Sequence, residues 1–159
     1  VNCNKVCAMK HISRTNSEIG ICLDLPGIII GNGETVCDLN YLKSAGVTHV
    51  LNTAEQHVSV SQARYAAHGI QYLGFHVDDL PHCNISRFAH ISQNTHQFKV
   101  KTRYNTSIRY FHRTTEFIHR AVTGGGLVAV NCYMGLSRSA SVVIAYLMTK
   151  HDMSLERVR

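Results

Sequence analysis

One stretch of the sequence combines a nucleophile, a glycine-containing loop and a cation at a spacing that suits phosphate chemistry. Cys132 follows an apolar run, and Arg138 lies six positions further along the chain. Gly135 lies between them, and Ser139 begins an apolar stretch that reaches Lys150. The order strand, loop, helix predicts that backbone amides of the loop and of the first helical turn surround one anion.

The chemistry predicted for this stretch is attack by a thiolate on a bound phosphate. The guanidinium of Arg138 can bind two phosphate oxygens at once. Helix N-termini and nearby cations lower the pKa of a cysteine from about 8.5 to roughly 3.5–7.5, so Cys132 is predicted to be largely ionised. Gly135 lets the backbone turn tightly around the anion. The competing interpretation is a buried structural cysteine with Arg138 as a helix cap, but the spacing between strand and helix favours the phosphate site.

Alternating strands and helices are predicted to position this loop. Short apolar or β-branched runs predict strands at residues 28–30, 47–52, 70–75 and 127–130. Apolar positions at helical spacing predict helices at residues 35–45, 59–68, 110–122 and 138–150. This alternation predicts an α/β fold in which helices flank a central, mostly parallel sheet.

The 159 residues are enough for one domain with its own core. Residues 1–23 have no clear period and are predicted to be an N-terminal arm, followed by one folded domain over residues 24–159. Residues 88–109 are polar, basic and aperiodic, which predicts an insertion into that domain. Ser154 is a predicted N-cap of a last helix that the end of the chain cuts short.

The formal net charge of +6 predicts an anionic partner such as phosphate, nucleic acid or an acidic protein. Nucleic acid is disfavoured, because the chain has no recognisable binding motif or aromatic platform. No apolar run approaches the ~18 residues that span a bilayer, so no membrane partner is predicted. No secretory signal is visible, and the predicted location is cytoplasmic, nuclear or both.

The cysteines and histidines do not predict a metal site. None of the six cysteines forms a Cys-x-x-Cys pair, and without a secretory signal reduced thiols are favoured over disulfides. The 11 histidines lack metal-ligand spacing on a convincing helix, so they are interpreted as scattered surface residues. The predicted chemistry therefore uses no metal and no cofactor.

The segment CYMGLSRSASVVIAYLM resembles the signature of the small atypical dual-specificity protein phosphatases, in particular the VHR-like members of the cysteine-based protein tyrosine phosphatase superfamily. Two upstream blocks, LPGIIIGNGETVCDLNYLKSAGVTHVLNTAE and IQYLGFHVDDLPHCNIS, are similar to their counterparts in order and spacing. The resemblance covers residues 24–86 and 110–159. It implies a protein tyrosine phosphatase-like fold, C-terminally truncated, in which residues 88–109 interrupt a continuous helical segment.

The resemblance implies a role for each residue of the loop. Cys132 would be the nucleophile, Arg138 the phosphate clamp, and Ser139 the hydroxyl that hydrogen-bonds the sulfur and helps it leave. The phosphate-binding loop, whose amides would hold the equatorial oxygens, comprises Tyr133, Met134, Gly135, Leu136, Ser137 and Arg138.

The family's general acid lies on a separate loop after the third strand, and here that loop contains two aspartates. Counting from the YLGF block makes Asp79 the matching residue and Asp78 the second choice; the competing interpretation is a solvated turn residue. One residue departs from the family pattern, because Asn131 stands where a histidine usually precedes the nucleophile. Asparagine can support the loop by donating hydrogen bonds, but it cannot be cationic, which predicts a higher thiol pKa and slower turnover.

Two functions of different classes are compatible with these residues. The first is a protein phosphatase that hydrolyses phosphotyrosine and phosphoserine/threonine, protein kinases among the candidate substrates, through a phosphocysteine intermediate. The uncharged loop residues Tyr133, Met134 and Leu136 disfavour a phosphoinositide substrate. The alternative is a weak or inactive pseudophosphatase that binds phosphoproteins, which Asn131, the insertion and the expected C-terminal truncation favour. The oligomeric state stays open.

Overall fold

The computed structural model describes residues 10–12, 26–76, 104–154 and 157–158. In that part of the chain, five parallel strands form one sheet in the order β1-β2-β5-β3-β4. They are β1 (Lys10–Ile12), β2 (Ile28–Gly31), β3 (His49–Asn52), β4 (Gln71–Gly74) and β5 (Val128–Asn131). The predicted α/β fold with a central parallel sheet is therefore confirmed. Strand β1 was not predicted, since it lies within the stretch interpreted as an N-terminal arm.

Five helices accompany the sheet in the described residues. They are α1 (Gly33–Cys37), α2 (Leu39–Ser44), α3 (Gln62–Ala67), α4 (Tyr104–Thr123) and α5 (Arg138–Lys150). None of the described helices is long and apolar enough to cross a bilayer. The bounds of α5 agree with the prediction, because its apolar run begins directly at the arginine of the loop.

Three of the predicted helices differ from their observed bounds, and the one predicted over residues 59–68 is shorter, at Gln62–Ala67. The helix predicted over residues 35–45 is divided at Asp38. The side-chain oxygen of Asp38 accepts a hydrogen bond from the Tyr41 amide (2.9 Å) and so caps α2. Helix α4 begins at Tyr104, so residues 104–109, assigned above to the insertion, are helical. The rest of the predicted insertion, and most of the last helix predicted after Ser154, lie outside the described residues.

The strands bury side chains on both faces of the sheet, as expected where helices cover both sides. On β2, Ile28 and Ile30 join the core formed with α4 and α5, whereas Ile29 joins the core formed with α1 and α2. All four residues of β5 are buried. Because β5 lies between β2 and β3, the sheet holds it from both sides and fixes where it ends.

The register aligns the carboxyl ends of the three central strands. Asn131 at the end of β5 pairs with Gly31 of β2 on one side and with Asn52 of β3 on the other. The loops after these strands therefore meet at one edge of the sheet, which is where parallel α/β folds place their ligands.

Candidate active site

Cys132 directly follows β5 and is almost fully buried, with 2% of its surface exposed. Its sulfur accepts hydrogen bonds from the Gly135 amide (3.1 Å) and from the Ser139 hydroxyl (3.4 Å). The hydrogen bond that the resemblance implied between Ser139 and the sulfur is thus present. In this arrangement the donors converge on the sulfur atom from the loop and from the first turn of α5.

These donors decide the ionisation of the thiol. Burial is the largest influence and by itself raises the pKa of Cys132, because it removes water from the charged form. The Ser139 hydroxyl and the amides of Ser139, Gly135 and Ser137 act in the opposite direction, and together they hold the pKa below the ordinary cysteine value. The site therefore favours a thiolate, the form of cysteine that acts as a nucleophile.

Position 135 in the loop imposes two conditions, a left-handed backbone and a close contact, that only glycine meets. Gly135 has a φ of +79°, in the left-handed region that side chains disfavour. A Cβ at this position would also lie 2.9 Å from the carbonyl oxygen of Gly31 and 3.2 Å from the Asn32 amide nitrogen. The loop is packed this closely against the end of β2, and the Gly33 amide ties it down by donating to the Tyr133 carbonyl (3.1 Å).

The loop continues directly into α5. Ser137 is the N-cap, Arg138 is the first helical residue and is partly exposed, and Ser139 is completely buried. An anion bound in the loop would thus face the N-terminus of a 13-residue helix that has an arginine in its first turn. The structure places the predicted phosphate-binding residues in one loop, as their sequence spacing requires.

The outer rim of the loop is apolar. The described residues include three exposed large hydrophobic side chains, and all three belong to this loop: Tyr133 (56% exposed), Met134 (62%) and Leu136 (45%). The ring of His57 lies 5.6 Å from that of Tyr133. A ligand that binds its phosphate at Cys132 would therefore meet uncharged surface around it.

Asn131 is fully buried behind the nucleophile. Its Nδ2 donates to Asn52 Oδ1 (3.0 Å), and its backbone carbonyl accepts from both the amide and the hydroxyl of Thr53 (each 2.8 Å). The sequence predicts loop support by Asn131, whereas the role of Asn52 was not predicted. The signal available was that an asparagine ends the predicted strand at residues 47–52 and another directly follows the predicted strand at residues 127–130.

The predicted general acid, Asp79, and the second choice, Asp78, lie outside the described residues. The described chain approaches them from β4, which is parallel to β3 and hence to β5. The carboxyl end of β4 therefore points to the same edge of the sheet as Cys132. Among the residues that the structure describes, no group of three or more His, Cys, Asp or Glu side chains is placed to hold a metal ion.

Comparison with known proteins agrees with this geometry. Residues 28–158 match the family model of the dual specificity phosphatase catalytic domain. Human dual specificity protein phosphatase 26 is 32% identical over 131 residues, which cover 82% of this chain and 52% of that protein; the bovine protein has the same values. The chain thus spans about half the length of these curated relatives.

Solved structures extend the comparison to the fold. A mouse putative dual specificity phosphatase, complexed with zinc tungstate, has a TM-score of 0.60 at 26% identity, covering 92% of this chain and 77% of that chain. A human tyrosine phosphatase-like serine/threonine/tyrosine-interacting protein has a TM-score of 0.59 at 26% identity, covering 84% of this chain and 76% of that chain.

A parallel sheet whose central strand ends at a cysteine loop, followed by a helix that begins at an arginine, defines the class of cysteine-based protein tyrosine phosphatases. Within that superfamily, this chain belongs to the atypical dual specificity phosphatases. The family resemblance drawn from the sequence is confirmed.

Proposed function

We propose that this chain is an active protein phosphatase that hydrolyses phosphotyrosine and phosphoserine/threonine esters through a phosphocysteine intermediate. The observation that carries the proposal is that hydrogen-bond donors surround the almost fully buried Cys132 sulfur, among them the Gly135 amide (3.1 Å) and the Ser139 hydroxyl (3.4 Å). A structural cysteine needs no such donors, whereas a nucleophile does.

In the first step, the Cys132 thiolate attacks phosphorus as the bond between phosphorus and the ester oxygen breaks. Arg138 and the loop amides bind the other three phosphate oxygens and offset their charge in the transition state. Asp79, in its protonated form, gives its proton to the departing oxygen, so an alcohol or phenol leaves instead of an anion. The product of this step is phosphocysteine.

In the second step, the Asp79 carboxylate takes a proton from water as that water attacks phosphorus. The sulfur–phosphorus bond breaks, inorganic phosphate is released and Cys132 returns as a thiolate. The hydroxyl of Ser139, 3.4 Å from the sulfur, stabilises the charge that returns to it. The residues of this chain supply every group the two steps require, without a cofactor or metal.

The proposed substrates are phosphorylated proteins, with protein kinases among them, which gives the chain a role in signalling in the cytoplasm, the nucleus or both. The uncharged rim of Tyr133, Met134 and Leu136 supports a protein substrate, because a polyphosphorylated lipid headgroup would be bound better by lysines. Nucleic acids and membranes are not proposed as partners. Tungstate, present with the mouse relative, is a tetrahedral oxyanion like phosphate, which fits the proposed ligand chemistry.

The second candidate function is a phosphoprotein-binding module with weak or no turnover. Asn131, in place of the histidine that the family resemblance leads one to expect, favours it, and so does the similarity to a protein described as phosphatase-like and interacting. Cys132 and Ser139 are both present, and a module that only binds would need neither, whereas both functions would need Arg138 to bind the phosphate.

The test is hydrolysis of p-nitrophenyl phosphate by the wild type, by Cys132→Ser and by the matched control Cys37→Ser. We expect vanadate-sensitive turnover that Cys132→Ser lowers by at least about 1,000-fold, while Cys37→Ser keeps the wild-type rate. Binding of phosphate or vanadate by a wild type that does not turn over would instead establish the binding module.

A further inference from the structure

Two buried asparagine side chains form a pair behind the nucleophile, across strands β3 and β5. Asn131 Nδ2 donates to Asn52 Oδ1 at 3.0 Å and also approaches the Cys132 carbonyl oxygen at 3.5 Å. Both asparagines are essentially inaccessible to solvent. Buried amides are costly unless they are hydrogen-bonded, so a buried pair at this position calls for an explanation.

The orientation of the pair is fixed by the backbone. The Ala54 amide, which can only donate, lies 3.0 Å from Asn52 Oδ1, and the Val58 carbonyl, which can only accept, lies 2.9 Å from Asn52 Nδ2. Asn52 therefore presents an oxygen to Asn131. Asn131 must answer with its NH₂ group, because two carbonyl oxygens facing each other would repel.

The hydrogen bonds continue from Asn52 to the surface. Asn52 Nδ2 also donates to the Tyr72 hydroxyl oxygen (3.2 Å), and that hydroxyl donates to Glu55 Oε1 (3.2 Å). Burial is the main cause that raises the pKa of Tyr72 to about 12; the hydrogen bond from Asn52 acts in the opposite direction, and Glu55 adds to the rise, so the hydroxyl keeps its proton at neutral pH. In this chain of hydrogen bonds, which runs from Asn131 through Asn52 and Tyr72, each donor points toward the carboxylate of Glu55.

We propose that Asn52, Tyr72 and Glu55 act as positioning residues, holding Asn131 and through it the start of the phosphate-binding loop at Cys132. The side-chain amide of Asn131 contacts the Cys132 carbonyl oxygen, and its hydrogen bond to Asn52 fixes its position. The loop amides stay aimed at the sulfur only while this starting point is fixed. The kinetic part of this inference rests on the proposed phosphatase function, whereas the thiol itself can be titrated without turnover.

The common direction of these hydrogen bonds supports a positioning role over simple packing. Hydrogen bonds in a row that all point the same way strengthen one another, and this row ends on a carboxylate, the strongest acceptor a side chain offers. A packing role would be served equally well by apolar side chains between the same strands. Here instead two polar side chains, Asn52 and Tyr72, link the exposed Glu55 to Asn131, the residue before the nucleophile.

The experiment compares Asn52→Ala and Tyr72→Phe with a matched control, Tyr65→Phe. The Tyr65 ring stacks on that of Tyr72 (centroids 4.8 Å apart), but its hydroxyl donates to the Val36 carbonyl (2.9 Å), away from the chain. Two readouts are measured for each variant: kcat and KM for p-nitrophenyl phosphate, and the pH dependence of Cys132 alkylation followed by peptide mass spectrometry.

We expect Asn52→Ala to lower kcat about tenfold or more and to move half-maximal alkylation of Cys132 to higher pH, with KM changed much less. Tyr72→Phe should change both readouts in the same direction by about two- to fivefold in kcat. Tyr65→Phe should lower the melting temperature and leave both readouts at wild-type values. If Asn52→Ala does not fold, Tyr72→Phe and Glu55→Gln decide the question, since Tyr72 is partly exposed and Glu55 is exposed.

The inference is overturned if Tyr72→Phe and Asn52→Ala change only the melting temperature, or if Tyr65→Phe shifts the alkylation profile as far as Tyr72→Phe does. Absence of turnover in the wild type would instead count against the proposed function. In that case the alkylation profile alone still distinguishes a positioning chain from packing.

Discussion

The two cysteines in the described part of the chain, Cys37 and Cys132, are both free thiols, yet their environments push their ionisation in opposite directions. Cys37 is the last residue of α1 and lies at the surface, and its pKa is raised. Partial burial of its sulfur is the main cause, opposed by the Arg64 charge and assisted by the Glu34 charge. Cys132 is almost fully buried, and its pKa is lowered.

Exposure therefore does not decide which cysteine is the thiolate. Cys132 precedes the N-terminal end of α5, where backbone amides point at the sulfur, whereas Cys37 stands at the C-terminal end of a helix, where carbonyl oxygens point outward. A buried thiol is activated when donors replace the water it has lost. The groups that shift the pKa of Cys37 include no such donors.

Replacing the loop glycine should have the largest effect on the difference in pKa between Cys132 and Cys37. Gly135→Ala places a Cβ 2.9 Å from the Gly31 carbonyl oxygen and forces a side chain into a φ of +79°. The loop must shift, and displacing catalytic groups by about 1 Å costs roughly 100-fold in rate. We expect kcat for p-nitrophenyl phosphate to fall by at least about that factor, with half-maximal alkylation of Cys132 moving to higher pH.

The matched control is Gly125→Ala, because Gly125 has nearly the same φ (+77°) but nothing within 4 Å of the added Cβ. Both variants lose about 1–2 kcal/mol from the left-handed conformation alone, which urea unfolding measures. Only Gly135→Ala should lose activity. Equal kinetic effects of the two variants would mean that general destabilisation, not the close approach of the loop, explains the loss.

Removing one donor should weaken the contrast without destroying it. Ser139→Ala deletes the hydroxyl 3.4 Å from the sulfur while keeping the backbone amides. Because that hydroxyl holds the thiol pKa down, the pKa rises, the thiolate fraction at a given acidic pH falls, and the acidic limb of the rate profile moves to higher pH. A hydrogen bond to a charged group is worth about 1.5–3 kcal/mol, so kcat should fall about 10- to 100-fold.

Ser141→Ala is the control for this prediction. Ser141 lies in the same helix and is not among the groups that lower the pKa of Cys132. It should leave the pH profile unchanged. A profile that moves equally in both variants would indicate a change in the helix as a whole.

The smallest expected effect is that of Asn131→His, which should increase the difference in pKa between Cys132 and Cys37. Asn131→His introduces a group that can be cationic next to the nucleophile, and an imidazole N–H can replace the amide that donates to Asn52. It also removes Asn131 Oδ1, a buried oxygen with no hydrogen-bond partner among the described residues. We expect a lower thiol pKa and a rise in kcat of less than about tenfold, near 1 kcal/mol. Unchanged thiol titration and rate would reject the idea that Asn131 slows this enzyme.

Much of this contrast could be predicted from the sequence, because Cys132, Gly135 and Arg138 are close neighbours along the chain. Their spacing between an apolar strand and an apolar helix is a local pattern. Local patterns of this kind also predicted strands β2 to β5 and the bounds of α5 to within a residue or two.

The partner of Asn131 could not be predicted in the same way. Asn52 lies 79 residues away along the chain, and only the pairing of β3 with β5 in one particular register brings the two side chains together. Strand β1 was missed for a related reason: a three-residue strand has too short a pattern, and it forms because β2 offers an edge. Long-range register, not composition, decides both features.

The most direct test of the central claim, that Cys132 is held as a thiolate for catalysis, is the pH dependence of alkylation at Cys132 and Cys37 in one wild-type sample. Iodoacetamide labelling resolved by peptide mass spectrometry gives both curves, and the midpoint of each curve does not depend on how accessible its sulfur is. We predict a lower midpoint for Cys132 than for Cys37, and protection by vanadate at Cys132 alone. A midpoint for Cys132 equal to or above that of Cys37 would contradict the account.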